Sequence, residues 1–427
     1  MENNMENSNY QIVHQYITEI MPKIERPPLG KILYPWLCIA CGENYSGTIW
    51  TWDMHHSAMR FAIAGKPEYL RHMVDNLLAY QLDDGHVPNV VSVDKGPRYL
   101  DLPFHAQPFL FQAAFLYVKQ TGDKVWGESV FGKLTKFLDY YDKYHSAAFE
   151  LKRWRTGWMG GFDNDVATAF LPPETIATSD INSWFYIDLL AAQKLSVLLE
   201  RSEDADAFAL RAKKQREATN NKLWYDEVKS YTAFRLCDDS PLFRLLCEGD
   251  LPSNIGQFSF QTASNLIPLY GRMAEADSAA AMIKKYVISK KHFWSNYGIR
   301  SLSRSSEYYN NAVLGNPSRF GDYRRMEESN WQGPVWVPLC YFTFQALRHY
   351  GFVKEATLLA DNVIDLLANS LKVQGSFSEN YNAETGEPLY ATNIASWNLL
   401  ADTMHDDLIS GNWIMDAIFQ RHEVQKL

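Results

Sequence analysis

The sequence predicts an all-α fold, an (α/α)6 barrel: six helix pairs in a ring, with the long loops gathered on one face to form a cleft. Three observations predict it. Apolar residues recur at the helical period through almost the whole chain, whereas strand-like alternation is confined to short stretches at 87–93 and 231–236. Tight turns alternate with long connections from one end to the other. The long connections are rich in Trp, Tyr, Gly, Asn and Asp rather than in flexible filler, the composition of loops that carry function.

Taken in order, the periodic segments place helices near 10–22, 50–64, 67–82, 105–121, 127–145, 181–200, 203–223, 257–271, 273–289, 333–351, 353–371 and 393–409. Turns at Gly65-Lys66-Pro67, Thr121-Gly122-Asp123, Arg201-Ser202-Glu203, Gly271-Arg272 and Gly351-Phe352 are too short for anything but antiparallel neighbours. The segments 23–49, 83–104, 146–180, 224–256, 290–332 and 372–392 are long. An open helical solenoid would give the same alternation, but no residue signature of a repeating unit is present. The chain therefore reads as one domain, 1–427, with excursions 146–180, 224–256 and 290–332 over the cleft.

Composition sets the outer bounds. The 427 residues are 46% apolar and 21% charged, an ordinary globular balance that excludes a disordered chain. The net charge of −9 is spread without a basic stripe, which argues against a nucleic-acid partner. Aromatic residues make up 14%, with 13 Trp, enough to fill a large core or to wall a site with flat faces. The five cysteines include one close pair, Cys38 and Cys41, with no second pair or nearby His at metal spacing; they read as reduced structural thiols. Residues 1–10 lack the apolar core of a signal peptide, and the apolar stretch 335–347 is too short to cross a membrane and holds Pro338 and Gln345. A cytoplasmic protein without a membrane partner is expected, and homo-oligomerisation is left open.

The loops bring the chemistry. Segment 146–180 contains Trp154-Arg155-Thr156-Gly157-Trp158-Met159-Gly160-Gly161-Phe162-Asp163-Asn164-Asp165, and segment 372–392 contains Phe377-Ser378-Glu379-Asn380-Tyr381-Asn382-Ala383-Glu384-Thr385-Gly386. In a ring of six pairs these loops stand half a turn apart, so their acids face each other across the opening. Two opposed carboxyl groups with room for a water between them suit inverting glycoside hydrolysis, which needs roughly 6.5–9.5 Å of separation.

Five separated motifs then converge on one family. Trp52-Asp53, Gly161-Phe162-Asp163-Asn164, Tyr297-Gly298-Ile299-Arg300-Ser301-Leu302, Asn330-Trp331-Gln332-Gly333-Pro334-Val335-Trp336, and Glu379-Asn380-Tyr381-Asn382 occur in the order found in glycoside hydrolase family 63. The chain resembles the catalytic domain of that family over nearly its whole length. The family includes processing α-glucosidase and the mannosylglycerate and glucosylglycerate hydrolases. The resemblance implies an (α/α)6 barrel and an inverting mechanism, with Asp163 as general acid and Glu379 as general base. Many relatives continue after the Asn164 position with Ser-Pro, whereas this chain has Asp165-Val166, so Asp165 stands as a rival acid; Glu384 is the rival base.

The motifs make Trp52, Asp53, Gly161, Asn164, Arg300, Trp331, Gln332, Trp336 and Tyr381 candidate substrate contacts; Trp158, a flat wall in the loop of the acid, and Gln107, at the opening of the fourth helix, join them on their own chemistry. Asp53 offers a fixed acceptor for sugar hydroxyls, and the tryptophans offer flat walls for a pyranose. His55 and His56 are adjacent on a helix and point about 100° apart, which does not suit a shared metal ion. No cofactor is implied. Calcium accompanies some relatives, but no loop here has enough fixed carboxylates to locate one. The expected partner is a small carbohydrate: an α-glucoside or α-mannoside, glucosylglycerate or mannosylglycerate among them. A trehalase-like hydrolase or phosphorylase on the same barrel, and a sugar epimerase or binding protein, are the alternatives.

Overall fold

The structure is a computed structural model of the chain. It describes residues 8–42, 45, 47–98, 105–169, 173–236, 240–241, 261–315 and 329–420, with only the backbone described for Trp158, Pro173, Ser240 and Pro241. Its helices are α1 (Ser8–Ile24), α2 (Thr51–Ile63), α3 (Glu68–Leu78), α4 (Leu110–Thr121), α5 (Lys124–Tyr144), α6 (Val166–Ala169), α7 (Ser179–Leu198), α8 (Ser202–Leu223), α9 (Ile267–Tyr270), α10 (Ala276–Met282), α11 (Val337–His349), α12 (Val353–Gln374), α13 (Leu400–Ser410) and α14 (Asp416–Phe419). The described chain is mostly helical, with short two- and three-stranded sheets in the loops.

Burial separates the helices into two kinds. In α2 every residue from Thr51 to Ala62 is buried, and the same holds for Leu110–Val118 of α4 and Val337–Leu347 of α11. A helix buried on all sides must be surrounded by others. In α5, α8 and α12 the buried residues fall on one stripe and the rest face water. Contacts among the buried set run α2 to α4, α4 to α7, α7 to α9, α9 to α11, α11 to α13 and α13 back to α2. The amphipathic helices pair onto this set: α3 on α2, α5 on α4, α8 on α7, α12 on α11, and α1 on α12 and α13.

The predicted helices all appear among the described residues, but five are shortened: 67–82 stops at Leu78, 393–409 becomes α-helical only at Leu400 after a 3-10 turn at Ser396–Leu399, and three more yield to local chemistry. The segment 105–121 becomes helical only at Leu110, because His105 bridges Pro88 and Ala106 N donates to Val87 O at 2.9 Å. The segment 257–271 is a 3-10 turn, Ala263–Leu266, followed by the single turn of α9; residues 257–260 lie outside the described set. The segment 333–351 starts at Val337, with Trp336 extended as the residue before it and Pro338 in the first turn. Among the strands, Val90–Ser92 pairs with Thr48–Trp50 and Gly96–Pro97. A hairpin read as loop in the sequence, Ser378–Tyr381 against Pro388–Thr392, has a register shift between Ser378 and Asn380: Tyr390 and Ala391 stand opposite the single residue Glu379, so the bulge lies in the second strand.

Among the described residues no helix is long and apolar enough to cross a membrane, and no group of three or more His, Cys, Asp or Glu is placed to hold a metal ion. Cys38 and Cys340 are buried free thiols, raised to about 11 and about 12 by burial; Cys237 and Cys247 lie outside the described residues.

Candidate active site

The first wall of the site comes from the start of α2. The strand Thr48–Trp50 runs straight into the helix, with Trp50 still extended, so Trp52 and Asp53 occupy the first turn. Thr51 anchors that turn: its backbone N–H and its hydroxyl both donate to Asn89 O, at 3.0 and 3.1 Å. Asp53 is buried and accepts from Ser396 Oγ at 3.1 Å.

The second wall is the loop before α6. A 3-10 turn, Gly157–Gly160, ends at Gly161 in the left-handed region, φ 78°. A Cβ at Gly161 would meet Trp52 Cε3 at 2.8 Å, so only glycine lets the loop lie flat on the indole. Asp163 follows, partly accessible at the cavity wall. Behind it, buried Asn164 ties this loop to the next: Trp331 N donates to its Oδ1 at 2.6 Å, Gln332 Nε2 to its backbone O at 2.9 Å, and its own Nδ2 to Asn330 Oδ1 at 3.3 Å. The tie holds Trp331, which stacks on Trp336 at 4.2 Å and 10° and packs against Phe162 at 4.6 Å.

The third wall is the hairpin. Glu379 stands opposite the bulge of the second strand, where the ladder is locally disrupted; it is 3% exposed, with Trp397 Nε1 donating to its backbone O at 3.4 Å. The three walls enclose a cleft of about 690 Å³ of free space, mouth included. Asp53, Asp163 and Glu379 line it together with Trp50, Trp52, Trp331, Trp336 and Trp397.

The acids act on one another. Burial pushes Asp163 up to about 6, against a lowering hydrogen bond from Ser329. Burial pushes Asp53 up to about 7, with Ser396 lowering it and the Asp163 charge raising it further. Burial first, then Glu379, Tyr390, Asp163 and Asp53, raise the phenol of Tyr45 at the rim. One carboxyl of the Asp53–Asp163 pair therefore holds a proton close to neutral pH.

The sequence candidates sort plainly. Trp52, Asp53, Gln107, Gly161, Asp163, Trp331, Trp336 and Glu379 line the cleft. Four others, Asn164, Gln332, Arg300 and Tyr381, are not in the lining. Asn164 and Gln332 spend their polar groups on the tie between loops. Arg300 pairs with Glu384 at 2.9 Å and donates to the Lys290, His292 and Trp294 carbonyls. Tyr381 is fully buried, its hydroxyl accepting from Ser378 N at 2.9 Å. The side chain of Trp158 lies outside the described set.

The rivals are likewise placed. Asp165 is buried away from the cleft, accepting from Ser264 Oγ at 2.6 Å and Ala167 N at 2.9 Å. Glu384 is held below the usual carboxylate range: burial raises it, but hydrogen bonds from Tyr309 and Arg300 and the charges of Arg300 and Arg304 outweigh that. His56 bonds to Trp52 O at 2.7 Å and His55 stacks on Phe109, so both are packing residues.

Sequence reasoning missed Asn89, Trp50, Ile39, Tyr45, Ser329 and Trp397 in the lining. Asn89 and Gln107 share a telling feature: among the described residues, Asn89 Oδ1 and Gln107 Oε1 are buried without a hydrogen-bond partner. Gln107 Nε2 is fixed by Met159 O at 2.8 Å, so its oxygen is pre-aimed as an acceptor.

An aromatic cleft with a protonatable acid, a second carboxylate and fixed hydroxyl acceptors, carried on paired helices, is an arrangement of the glycoside hydrolase class. Residues 45–395 match the family model of the mannosylglycerate hydrolase MGH1-like glycoside hydrolase domain, and the chain belongs to that family. It is 27% identical over 204 residues to mannosylglycerate hydrolase from Rubrobacter radiotolerans, covering 47% of this chain and 38% of the relative. It is 23% identical over 242 residues to a probable mannosyl-oligosaccharide glucosidase from Schizosaccharomyces pombe, covering 54% and 26%. The matched regions thus take in well under half of either relative. The GH63 mannosylglycerate hydrolase from Thermus thermophilus, solved with Tris and D-glycerate, superposes with a TM-score of 0.68 at 16% identity, over 92% of this chain and all of that one (100%). Neutral trehalase from Saccharomyces cerevisiae superposes at 0.57 and 13% identity, over 94% and 82%. At these identities the structures speak for the fold.

Proposed function

We propose that the protein is an inverting α-glycosidase of the family 63 type, hydrolysing a small α-glucoside or α-mannoside, with glucosylglycerate and mannosylglycerate as the first substrates to test. The observation that carries this reading is the convergence of Asp163 and Glu379 on one tryptophan-walled cleft. Asp163 is the general acid: burial, which lifts it to about 6, keeps a proton available for the leaving oxygen. Glu379 is the general base, taking a proton from the water that attacks the anomeric carbon from the opposite side. Asp53 and Gln107 bind hydroxyls, and the stacked Trp331 and Trp336 present a flat face to the sugar. The closed order of helix contacts supports an (α/α)6 barrel formed as one domain.

Proton NMR of the first-formed product, over a panel of α-glycosides, tests the proposal. The β-anomer of glucose or mannose should appear first and then mutarotate. Retention of configuration, or no turnover of any α-glycoside, overturns it.

A further inference from the structure

Three buried histidines stand outside the cleft and outside the mechanism. His86 stacks on Tyr140 of α5 at 5.0 Å and 13°, and Tyr140 lies 4.4 Å from His105. His105 is in turn 5.4 Å from His86, 4.7 Å from Tyr141 and 5.8 Å from His145. His105 and His145 are fully buried, and His86 is 8% exposed.

Each of the three sits at the root of a segment that delivers a cleft residue. His86 precedes Asn89, and His105 precedes Gln107. His145, just past the end of α5, opens the loop that reaches Asp163. Backbone bonds knit the first two roots together: Val87 N donates to His105 Nδ1 at 3.1 Å, and Ala106 N to Val87 O at 2.9 Å. The third root is held by His145 Nδ1, which donates to Arg153 O at 3.1 Å.

We infer that His105, braced by His86 and His145, is a positioning residue: its unprotonated Nδ1 accepts the Val87 N–H and so fixes Asn89 and Gln107 relative to each other in the cleft wall. The role given to Asn89 and Gln107 rests on the proposed glycosidase reading. The chemistry of the bond dictates the ionisation state. A backbone N–H requires a lone pair on Nδ1, so the neutral ring carries its proton on Nε2, and an imidazolium would set donor against donor. The ionisable or charged groups around the column are Tyr140 and Tyr141 on α5, Asp84 before His86, Arg153 and Arg155 after His145, and Asp188 on α7. Burial, then His145 and His86, hold the His105 imidazole well below its ordinary value, which agrees with a ring that stays neutral.

Two variants separate positioning from packing. His105→Asn retains an acceptor near the Nδ1 position, whereas His105→Phe keeps a flat ring without one. In the full-length enzyme, His105→Phe should lower kcat/KM by about 10- to 100-fold, the scale of a small misplacement of binding groups, and His105→Asn should recover to within about threefold of wild type. Unchanged kcat/KM in His105→Phe, or equal loss in both variants, overturns the inference. Nitrogen-15 histidine NMR of the wild-type protein provides a readout independent of turnover and of variant folding. One imidazole, assigned by its absence in His105→Asn, should remain the neutral Nε2–H form well under the ordinary histidine midpoint near 6.5. An Nδ1–H form, or titration at the ordinary value, overturns the inference. Absence of turnover with every α-glycoside would instead sink the functional reading alone, leaving the NMR result to decide this one.

Discussion

Gly161 lies on the face of Trp52 with no room for a methyl group between them: a Cβ there would come within 2.8 Å of Cε3 and 2.9 Å of Cδ2 of the indole. The position is also left-handed, φ 78°, where an alanine is strained whatever the space. Since Asp163 follows two residues later, any shift that relieves the contact moves the acid. Gly161→Ala should lower kcat/KM by about 100-fold and cost about 1–3 kcal/mol of stability. Steady-state kinetics beside a denaturant melt checks both; a variant with wild-type values in each would show that the loop adapts without displacing the acid.

Asp163→Asn should separate catalysis from stability. Between about pH 4 and pH 6 the folded chain holds a proton on Asp163 that the unfolded chain has released, so stability falls as pH rises through that window and carries the full cost of the buried charge above it. The neutral variant lacks this cost. Its melting temperature should match wild type below about pH 4 and exceed it above pH 6, by no more than about 3 kcal/mol in free energy. Turnover should drop by about 10²–10⁴-fold, the range for loss of a general acid. Melts from pH 3.5 to 8 with parallel assays test this; a stability difference that grows toward acid pH would reverse the sign argued here.

These predictions draw on a site whose acids were legible in the sequence, because Asp163 and Glu379 sit in aromatic and glycine-rich loops between strongly periodic helices. The helices were legible for a related reason: the one-faced stripe of α12 and the unbroken apolar run of α11 are both visible without coordinates. The hairpin carrying Glu379 was not. All four residues of Ser378–Tyr381 are buried, so the strand shows no polar and apolar alternation to read. Nor could the sequence tell substrate contacts from loop ties. Asn164, Gln332, Arg300 and Tyr381 are polar groups beside the acids, as ligands would be, yet they satisfy backbone and side-chain atoms of irregular loops that cross near the cleft. Asn89 was missed because an asparagine before two valines reads as a turn residue until the structure shows it in the cleft lining with its side-chain oxygen unpartnered.

The two glutamates of the hairpin give a clean test of the base. Glu384 is held outside the cleft by Arg300 and by the hydroxyl of Tyr309, which donates to it at 2.6 Å. Glu384→Gln weakens a charged pair that braces the 290–310 loop and should lower the melting temperature while leaving kcat/KM within about threefold of wild type. Glu379→Gln should keep the melting temperature and abolish turnover by at least about 10²-fold. The reverse pattern, with Glu384→Gln inactive and Glu379→Gln active, would transfer the base to Glu384.

Asn164 offers the last and sharpest case, because it lies outside the cleft lining yet ties the loop of the acid to the stacked tryptophans. Its side chain accepts from Trp331 N and donates to Asn330 Oδ1, so Asn164→Ala leaves the Trp331 N–H buried without its partner. A stranded buried donor costs about 1–3 kcal/mol. Freed of that anchor, the Trp331–Trp336 stack and Asp163 lose their common reference, and both binding and proton transfer suffer: KM should rise and kcat should fall, each by roughly 10-fold. Asn164→Asp keeps the acceptor for Trp331 N but replaces the Nδ2 donor with a buried charge, so it should hold KM near wild type and lose stability above the pH at which that carboxyl ionises. Kinetics and melts of both variants decide the matter; an alanine variant altered in kcat alone would mean that Asn164 acts on Asp163 without the tryptophans.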